Sequence, residues 1–200
     1  SDSISYDAQT NSSQPSLNYG SAENLLISGY TDYSSARMLM NINLTLGDGG
    51  VLPSTAVVSE ATLELRCMKM STWPSELDSD AILYPAKLLT DFDESNATHN
   101  QSDTGINWNQ AGANGIGLDR GHWEPGDFIA VTNSNYRVFS LNVTALVQDS
   151  LRNGNTNMSL IVSGAGMPVV CASSDHRYSA RHPSIDFEYT LSSTPAQGSV

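Results

Sequence analysis

The stretch at 57–70, "VVSEATLELRCMKM", constrains this chain more than any other. Ala61, Leu63 and Leu65 alternate with Thr62, Glu64 and Arg66. A period of two sends successive side chains to opposite faces of an extended strand, so one face here is apolar and the other polar. A strand of that kind must bury its apolar face against another layer. The same signal returns, bounded by turn residues, in "NLLISGY" (24–30), "RMLMNINLTL" (37–46) and "AILYPAKLL" (81–89). Further strands are expected at 127–131, 136–143, 158–164, 168–173 and 184–191. Pro85 cannot donate to a ladder, which predicts an edge position for its strand. Only "TALVQDSLRNG" (144–154) departs from the pattern. Leu146, Val147, Ser150 and Leu151 recur at helical spacing, Thr144 is placed to cap the start, and Gly154 to end it. Many short strands, one short helix and no βαβ rhythm predict an all-β fold, a β-sandwich of jelly-roll type. A length of 200 residues suits one domain. Residues 1–192 form it, and 193–200, "STPAQGSV", read as a tail or linker.

Charge and motifs remove several functions. The net charge is -12, with only nine Lys plus Arg. A nucleic-acid partner needs a basic field to neutralise phosphates, and none is present. No run approaches the roughly 20 apolar residues of a membrane span, so membrane insertion is not expected. His99, His122, His176 and His182 show no metalloprotease spacing, and there is no nucleophile elbow or phosphate loop. The expectation is therefore a protein without catalytic activity. The two cysteines, Cys67 and Cys171, both sit in apolar strand-like runs. They can form a disulfide if those strands are neighbours, or remain two buried thiols. Two distant cysteines do not make a metal site.

The segment from Asp91 to about Gly121 is polar and long. It carries the sequons Asn96-Ala97-Thr98 and Asn100-Gln101-Ser102, which mean glycans only in a compartment that glycosylates. A loop of this length inside a compact domain is usually functional or disordered. Trp108, in "INWNQ", is expected to anchor it, with Asn side chains satisfying its backbone groups.

Several stretches, taken in order, resemble DNRLRE-type domains. Asp7, then Asn18-Tyr19-Gly20 and the apolar Leu25-Leu26-Ile27, follow that family's opening. Arg37 precedes the next apolar strand, and "VVSEATLELR" is similar to the family's Ser-Ala-Thr-Leu strand. Glu94, Ala97, Thr98, Trp108 and Asn109 match its Glu-x-x-Ala-Thr-Trp and Trp-Asn segments, "FSLNVTALVQDSLRNG" its helix entry, and "RHPSIDFEYT" its closing strand. The chain departs from the pattern at His99, where Trp is usual, and at His182, which separates Arg181 from Pro183. The resemblance covers most of the chain. It implies a β-sandwich similar to carbohydrate-binding modules, found on secreted enzymes, cell-surface proteins and some phage proteins, with attachment or structure as its role.

Candidate residues follow from chemistry. Sugar rings present C–H faces that stack on aromatic rings and hydroxyl edges that polar side chains meet. Trp73, Trp123, Tyr30 and Tyr33 lie in turn-rich loops and are candidate platforms; the competing role is to fold back over a core edge. Asp7, Asn18 and Arg37 are expected to be structural: Asp7 or Asn18 capping a turn, Arg37 forking onto a carboxylate or carbonyls to pin the N-terminal segment. Asp91, Asp93 and Glu94 crowd carboxylates together and are the favoured place for a structural calcium, if one is bound; solvated acidic turns are the alternative. No other cofactor is expected. The partner is then a polysaccharide, or neighbouring subunits of a surface or viral assembly. The location is extracellular, on a cell surface or on a virion. The Ser1 start fits loss of a leader or of an initiator Met; with no catalytic companion domain in the sequence, it leans toward a decoration role on a particle.

Overall fold

A computed structural model of the chain describes residues 4–29, 35–47, 50–70, 80–129 and 135–192. Their elements are β1 (Ile4–Asn11), β2 (Asn24–Ile27), β3 (Ala36–Asn43), β4 (Ala56–Lys69), β5 (Ala81–Lys87), β6 (Gln101–Asp103), β7 (Ile106–Asn107), β8 (Asp127–Ile129) and β9 (Arg137–Asn142), then α1 (Thr144–Arg152), β10 (Asn157–Gly166), β11 (Val169–Ala172) and β12 (Ser184–Leu191). The fold is an all-β sandwich with one short helix. One sheet runs β1-β3-β10-β5-β8, and the other runs β12-β4-β11-β2 with β9 also on β4. Every pairing in the two sheets is antiparallel. From β1 to β5 successive strands change sheet, as in a jelly roll. Among the described residues, no helix is long and apolar enough to cross a membrane.

Long β4 organises the second sheet. β12 pairs with Ala56–Glu64 and β11 with Cys67–Lys69. β9 pairs with Thr62–Cys67 and overlaps both, so it takes the opposite edge. The alternation read from the sequence is the packing rule: Leu63, Leu65 and Cys67 are fully buried, while Thr62, Glu64 and Arg66 are partly open. From the other sheet Met38, Met40, Ile42, Leu83, Leu160 and Val162 meet them, with Phe139 and Leu141 of β9. Each such side chain contributes about 1.5–3 kcal/mol on burial. Cys67 and Cys171 face each other in register and form a disulfide, which settles the two alternatives left by sequence.

Three features depart from, or add to, the reading of the sequence. First, β5 is not outermost, since it lies between β10 and β8. Yet β8 pairs only with Ala81–Leu83. Past its end, the Pro85 carbonyl accepts the Glu124 N–H at 2.8 Å, so the missing proline donor falls on the side of β5 that β8 no longer covers, away from β10. Second, Thr144 is the first helical residue and does not cap. The Asn142 Oδ1 accepts the Thr144 N–H at 3.0 Å, while the Thr144 hydroxyl accepts the Ala61 N–H at 2.9 Å and ties α1 to β4. Gly154 closes the helix at φ +72. Third, the polar stretch after Tyr6 is a strand, β1. Its polar side chains bridge the sheets: the Gln9 Oε1 accepts the Leu26 N–H, and the Asp7 Oδ2 accepts the Ser174 N–H.

The long polar segment is a cover. Met38 and Met40 point into the main core, so Leu39 between them points out. There Ala8, Leu39, Ile161, Ala86 and Leu88 meet Phe92, Ala97, Trp108 and Ala113 in a second core. Asp119 holds the segment in shape. Its buried carboxylate accepts the N–H groups of Asn109 (2.8 Å), Gln110 (2.8 Å) and Gly115 (3.0 Å), and the Asn109 Nδ2 at 3.0 Å. Burial alone would raise its pKa, but these donors together hold it below the usual range.

Candidate functional site

Residues 173–183 link β11 to β12, whose strands lie end to end along β4. The link bulges over the outward side of β4, where Met68 faces away from the core. Its sequence, His176-Arg177-Tyr178-Ser179-Ala180-Arg181, ends in a single 3-10 turn, Ser179–Arg181. Together with Tyr136, just before β9, and Asn24, at the start of β2, it walls a cavity of about 480 Å³.

The groove is aromatic and polar at once. Tyr178 is 56% exposed, whereas His176 beneath it is 5% exposed. The Arg181 guanidinium lies 4.4 Å from the Tyr136 ring centroid and 5.0 Å from that of Tyr178, a cation held against two rings. Arg177 pairs with Glu23 on the rim, Nη2 to Oε2 at 2.9 Å. Such an exposed pair adds little stability but fixes a charge pattern.

A hydrogen-bond chain sets the floor. The Tyr136 hydroxyl donates to the Asn24 Oδ1 at 2.8 Å and lies 3.4 Å from the His176 Nε2. The Tyr178 N–H donates to the His176 Nδ1 at 3.1 Å. These partners assign a neutral imidazole with its proton on Nε2, because Nδ1 must accept. The His182 Nε2 lies 2.7 Å from the His176 carbonyl, and the Arg66 Nη1 donates to the His182 carbonyl at 3.3 Å, fastening the link to β4. Aromatic side chains and forked donors are therefore presented on connections fastened to β4.

The residues singled out from sequence lie elsewhere. Trp73, Tyr30 and Tyr33 fall outside the described residues. Trp123 is half-buried at the rim of the second core, with the Arg120 guanidinium 4.1 Å over its ring and Tyr84 at 6.2 Å between centroids. Trp108 is 5% exposed and donates its Nε1–H to the Thr98 carbonyl at 2.9 Å. Asn18 closes its own turn on the Gly20 N–H at 3.0 Å and reaches the Glu94 and Ala97 carbonyls at 2.7 and 2.8 Å. Arg37 does not hold the N-terminal segment. Its Nη1 donates to the Gly112 carbonyl at 2.9 Å, so it fastens the covering loop. Burial, with Arg120 nearby, lowers its pKa to about 10.

The three acidic neighbours separate. Asp91 and Asp93 line an open cleft with Asp103, and the Asp93 Oδ1 accepts the Ser95 N–H at 3.0 Å. Glu94 points the other way, where its Oε1 accepts the Asp7 N–H at 3.1 Å. Among the described residues no three His, Cys, Asp or Glu side chains already stand together as a metal site.

The groove escaped sequence reasoning because "HRYSAR" has no strand or helix period. One signal was available: two of the nine basic residues, a Tyr and a His fall within six positions of an acidic chain. Neither a protein-family model nor a curated protein matches this chain.

Proposed function

We propose that this protein is a non-catalytic attachment module that holds a polysaccharide in the groove of Tyr136, Tyr178 and Arg181, outside the cell. The carrying observation is the exposed Tyr178 ring beside Tyr136, with Arg181 between them. Ring faces suit the C–H faces of a sugar, and Arg181, Asn24 and the Glu23–Arg177 pair suit its hydroxyl edges. Among the described residues Arg181 has no ion-pair partner, so its N–H donors remain available. The cavity falls in the range of about 300–1,000 Å³ typical of ligand sites. The Cys67–Cys171 disulfide supports export, since such bonds persist mainly in oxidising compartments. The likeness to DNRLRE-type domains supports the same reading.

Affinity electrophoresis against a panel of plant, algal and bacterial polysaccharides is the test. Tyr178→Ala should weaken binding about tenfold or more, as expected for a central aromatic anchor. Trp123→Ala should leave binding unchanged. Binding to no polymer, or equal binding by Tyr178→Ala, removes the proposal.

One observation favours a role among neighbouring subunits. Tyr189 and Leu191 are exposed on one face at the end of β12. Size-exclusion chromatography with light scattering distinguishes that role: a concentration-independent monomer counts against it.

A further inference from the structure

His176 is the buried titratable side chain beneath the tyrosine groove, and it faces both rings. Its ring centroid lies 6.0 Å from that of Tyr136, edge-on at 86°, and 5.7 Å from that of Tyr178. It also holds the backbone of the exposed ring, because its Nδ1 accepts the Tyr178 N–H at 3.1 Å. That contact spans residues i and i+2, the closure that Asn and Asp side chains make in turns. The His176 Nε2 faces the Tyr136 hydroxyl at 3.4 Å, and the His176 carbonyl faces the His182 Nε2 at 2.7 Å. One residue therefore sets where Tyr178 stands, how it meets Tyr136, and how the link is anchored.

Charges surround it from every side of the groove. Arg181 lies over both tyrosine rings, 4.4 and 5.0 Å from their centroids. Arg177 follows His176 and pairs with Glu23, the residue before β2. Beyond His182, Arg66 of β4 donates to that residue's carbonyl. Asp175 precedes His176, but it is exposed and lines a different cavity, with Glu94. Asn24 of β2 and Met68 of β4 bring no charge. Among the described residues no carboxylate hydrogen-bonds the His176 ring, and Glu23 is already engaged by Arg177.

A neutral imidazole fits this place and an imidazolium does not. The Nδ1 needs its lone pair for the Tyr178 N–H, whereas an imidazolium carries a proton on both nitrogens. A proton arriving from solvent at Nδ1 sets donor against donor at the Tyr178 amide. It also brings a second cation to the rings that Arg181 already occupies, at a side chain only 5% exposed, where unpaired charge is costly. The local relief is to open the 176–178 turn and let Tyr178 leave Tyr136 and Arg181.

We propose that His176 is the positioning residue of the groove and makes it acid-releasing. Neutral, it holds the Tyr136–Tyr178–Arg181 platform together; protonated, it lets the platform and its polysaccharide go. Imidazole suits this task because it is the side chain that changes charge near neutral pH. What is released rests on the attachment reading above, while the rearrangement rests on contacts within the free chain.

The test therefore starts without glycan. The full chain, labelled with nitrogen-15, is followed by NMR between pH 7.5 and 5.0, with hydrogen exchange corrected for its intrinsic pH dependence. Protection of the Tyr178 amide should fall by about tenfold or more on acidification, and the His176 ring signals should move with the same midpoint. His176→Asn keeps a side-chain acceptor for the Tyr178 N–H but cannot titrate, so protection there should be equal at both pH values. Glu23→Gln removes the other titrating group of the groove and should retain the fall. Unchanged protection in the parent chain, or separate midpoints for His176 and Tyr178, overturns the proposal. So does a fall that persists in His176→Asn, or one that vanishes in Glu23→Gln, which would assign the effect to the Arg177–Glu23 pair. For a polysaccharide that binds, affinity should drop about tenfold or more from pH 7.5 to 5.0 in the parent. In His176→Asn the ratio should be near one, whatever the absolute affinity. A chain that binds no polymer ends the attachment reading, and the amide measurement still decides this one.

Discussion

Removing the disulfide offers the sharpest check on how this sandwich holds together. Cys67 and Cys171 are both fully buried and directly opposed on β4 and β11, with a sequence separation of 104. In the chain-entropy description a cross-link closing a loop that long restricts the unfolded ensemble by about 4.7 kcal/mol. For a domain of this size each kcal/mol moves Tm by about 2–4 °C, so the double variant Cys67→Ala/Cys171→Ala should melt roughly 9–19 °C lower. Two lost sulfur atoms leave a small void that adds to the effect. Urea unfolding followed by near-ultraviolet circular dichroism measures the difference. Thiol titration completes the experiment: no free thiol in urea without reductant, two after reduction in urea, and little reduction in the folded state because neither sulfur is accessible. A double variant within about 1 kcal/mol of the parent, or two titratable thiols in urea alone, would refute the reasoning. The bond also bears on the groove, since Met68 follows one cysteine and the link 173–183 follows the other.

Other perturbations have definite outcomes. Burial pushes the Asp7 pKa up to about 7 in the folded chain, against about 3.8 unfolded. Between those values the folded chain holds a proton that the unfolded chain has lost, so stability is greatest below the lower value and declines as pH rises through the higher. The decline is at most about 4 kcal/mol; Asp7→Asn should flatten the slope between pH 5 and 8, and an unchanged slope would assign it to other groups. Trp108→Ala should cost about 3–5 kcal/mol, with hydrogen exchange at the Asn109, Gln110 and Gly115 amides rising before that of β10; uniform loss of protection would contradict a separate outer core. Gly20→Ala should destabilise by about 1–3 kcal/mol, because the added carbon would stand 2.0 Å from the Glu94 carbonyl oxygen. Gly121→Ala, whose nearest neighbour would be 3.8 Å away, serves as its control in the same melts.

What could be read beforehand follows from which signals are local. β4 was legible because its inner and outer faces differ in chemistry at every step. The helix was legible from Leu146, Val147 and Ser150 on one face, and its end from Gly154. β1 was not, because Asp7 and Gln9 use polar side chains to bridge toward the second sheet, which erases the alternation. The Pro85 position failed for a geometric reason: being at an edge is a property of a residue's own neighbourhood, and β8 is too short to reach it. The disulfide stayed open because pairing depends on the register of two strands far apart in sequence. The groove was hidden for the same reason. Tyr136, Asn24 and Arg181 come from three separate connections, and nothing local tells that β12 and β11 meet end to end. The acidic run 91–94 divides because the chain turns at Glu94, which sends that side chain to Asp7 and leaves Asp91 and Asp93 in another cleft.

The covering loop has a consequence for how this fold tolerates change. Its length is set by the area it must wrap, and its polarity by having one wet side. Deleting its middle would strip Ala8, Leu39 and Ile161 of their roof and lay an oily stripe across an otherwise hydrophilic sheet. Shortened versions should therefore clump even where the main core survives, and natural variation in this region should trade polar residues freely while leaving the distance from Phe92 to Asp119 intact.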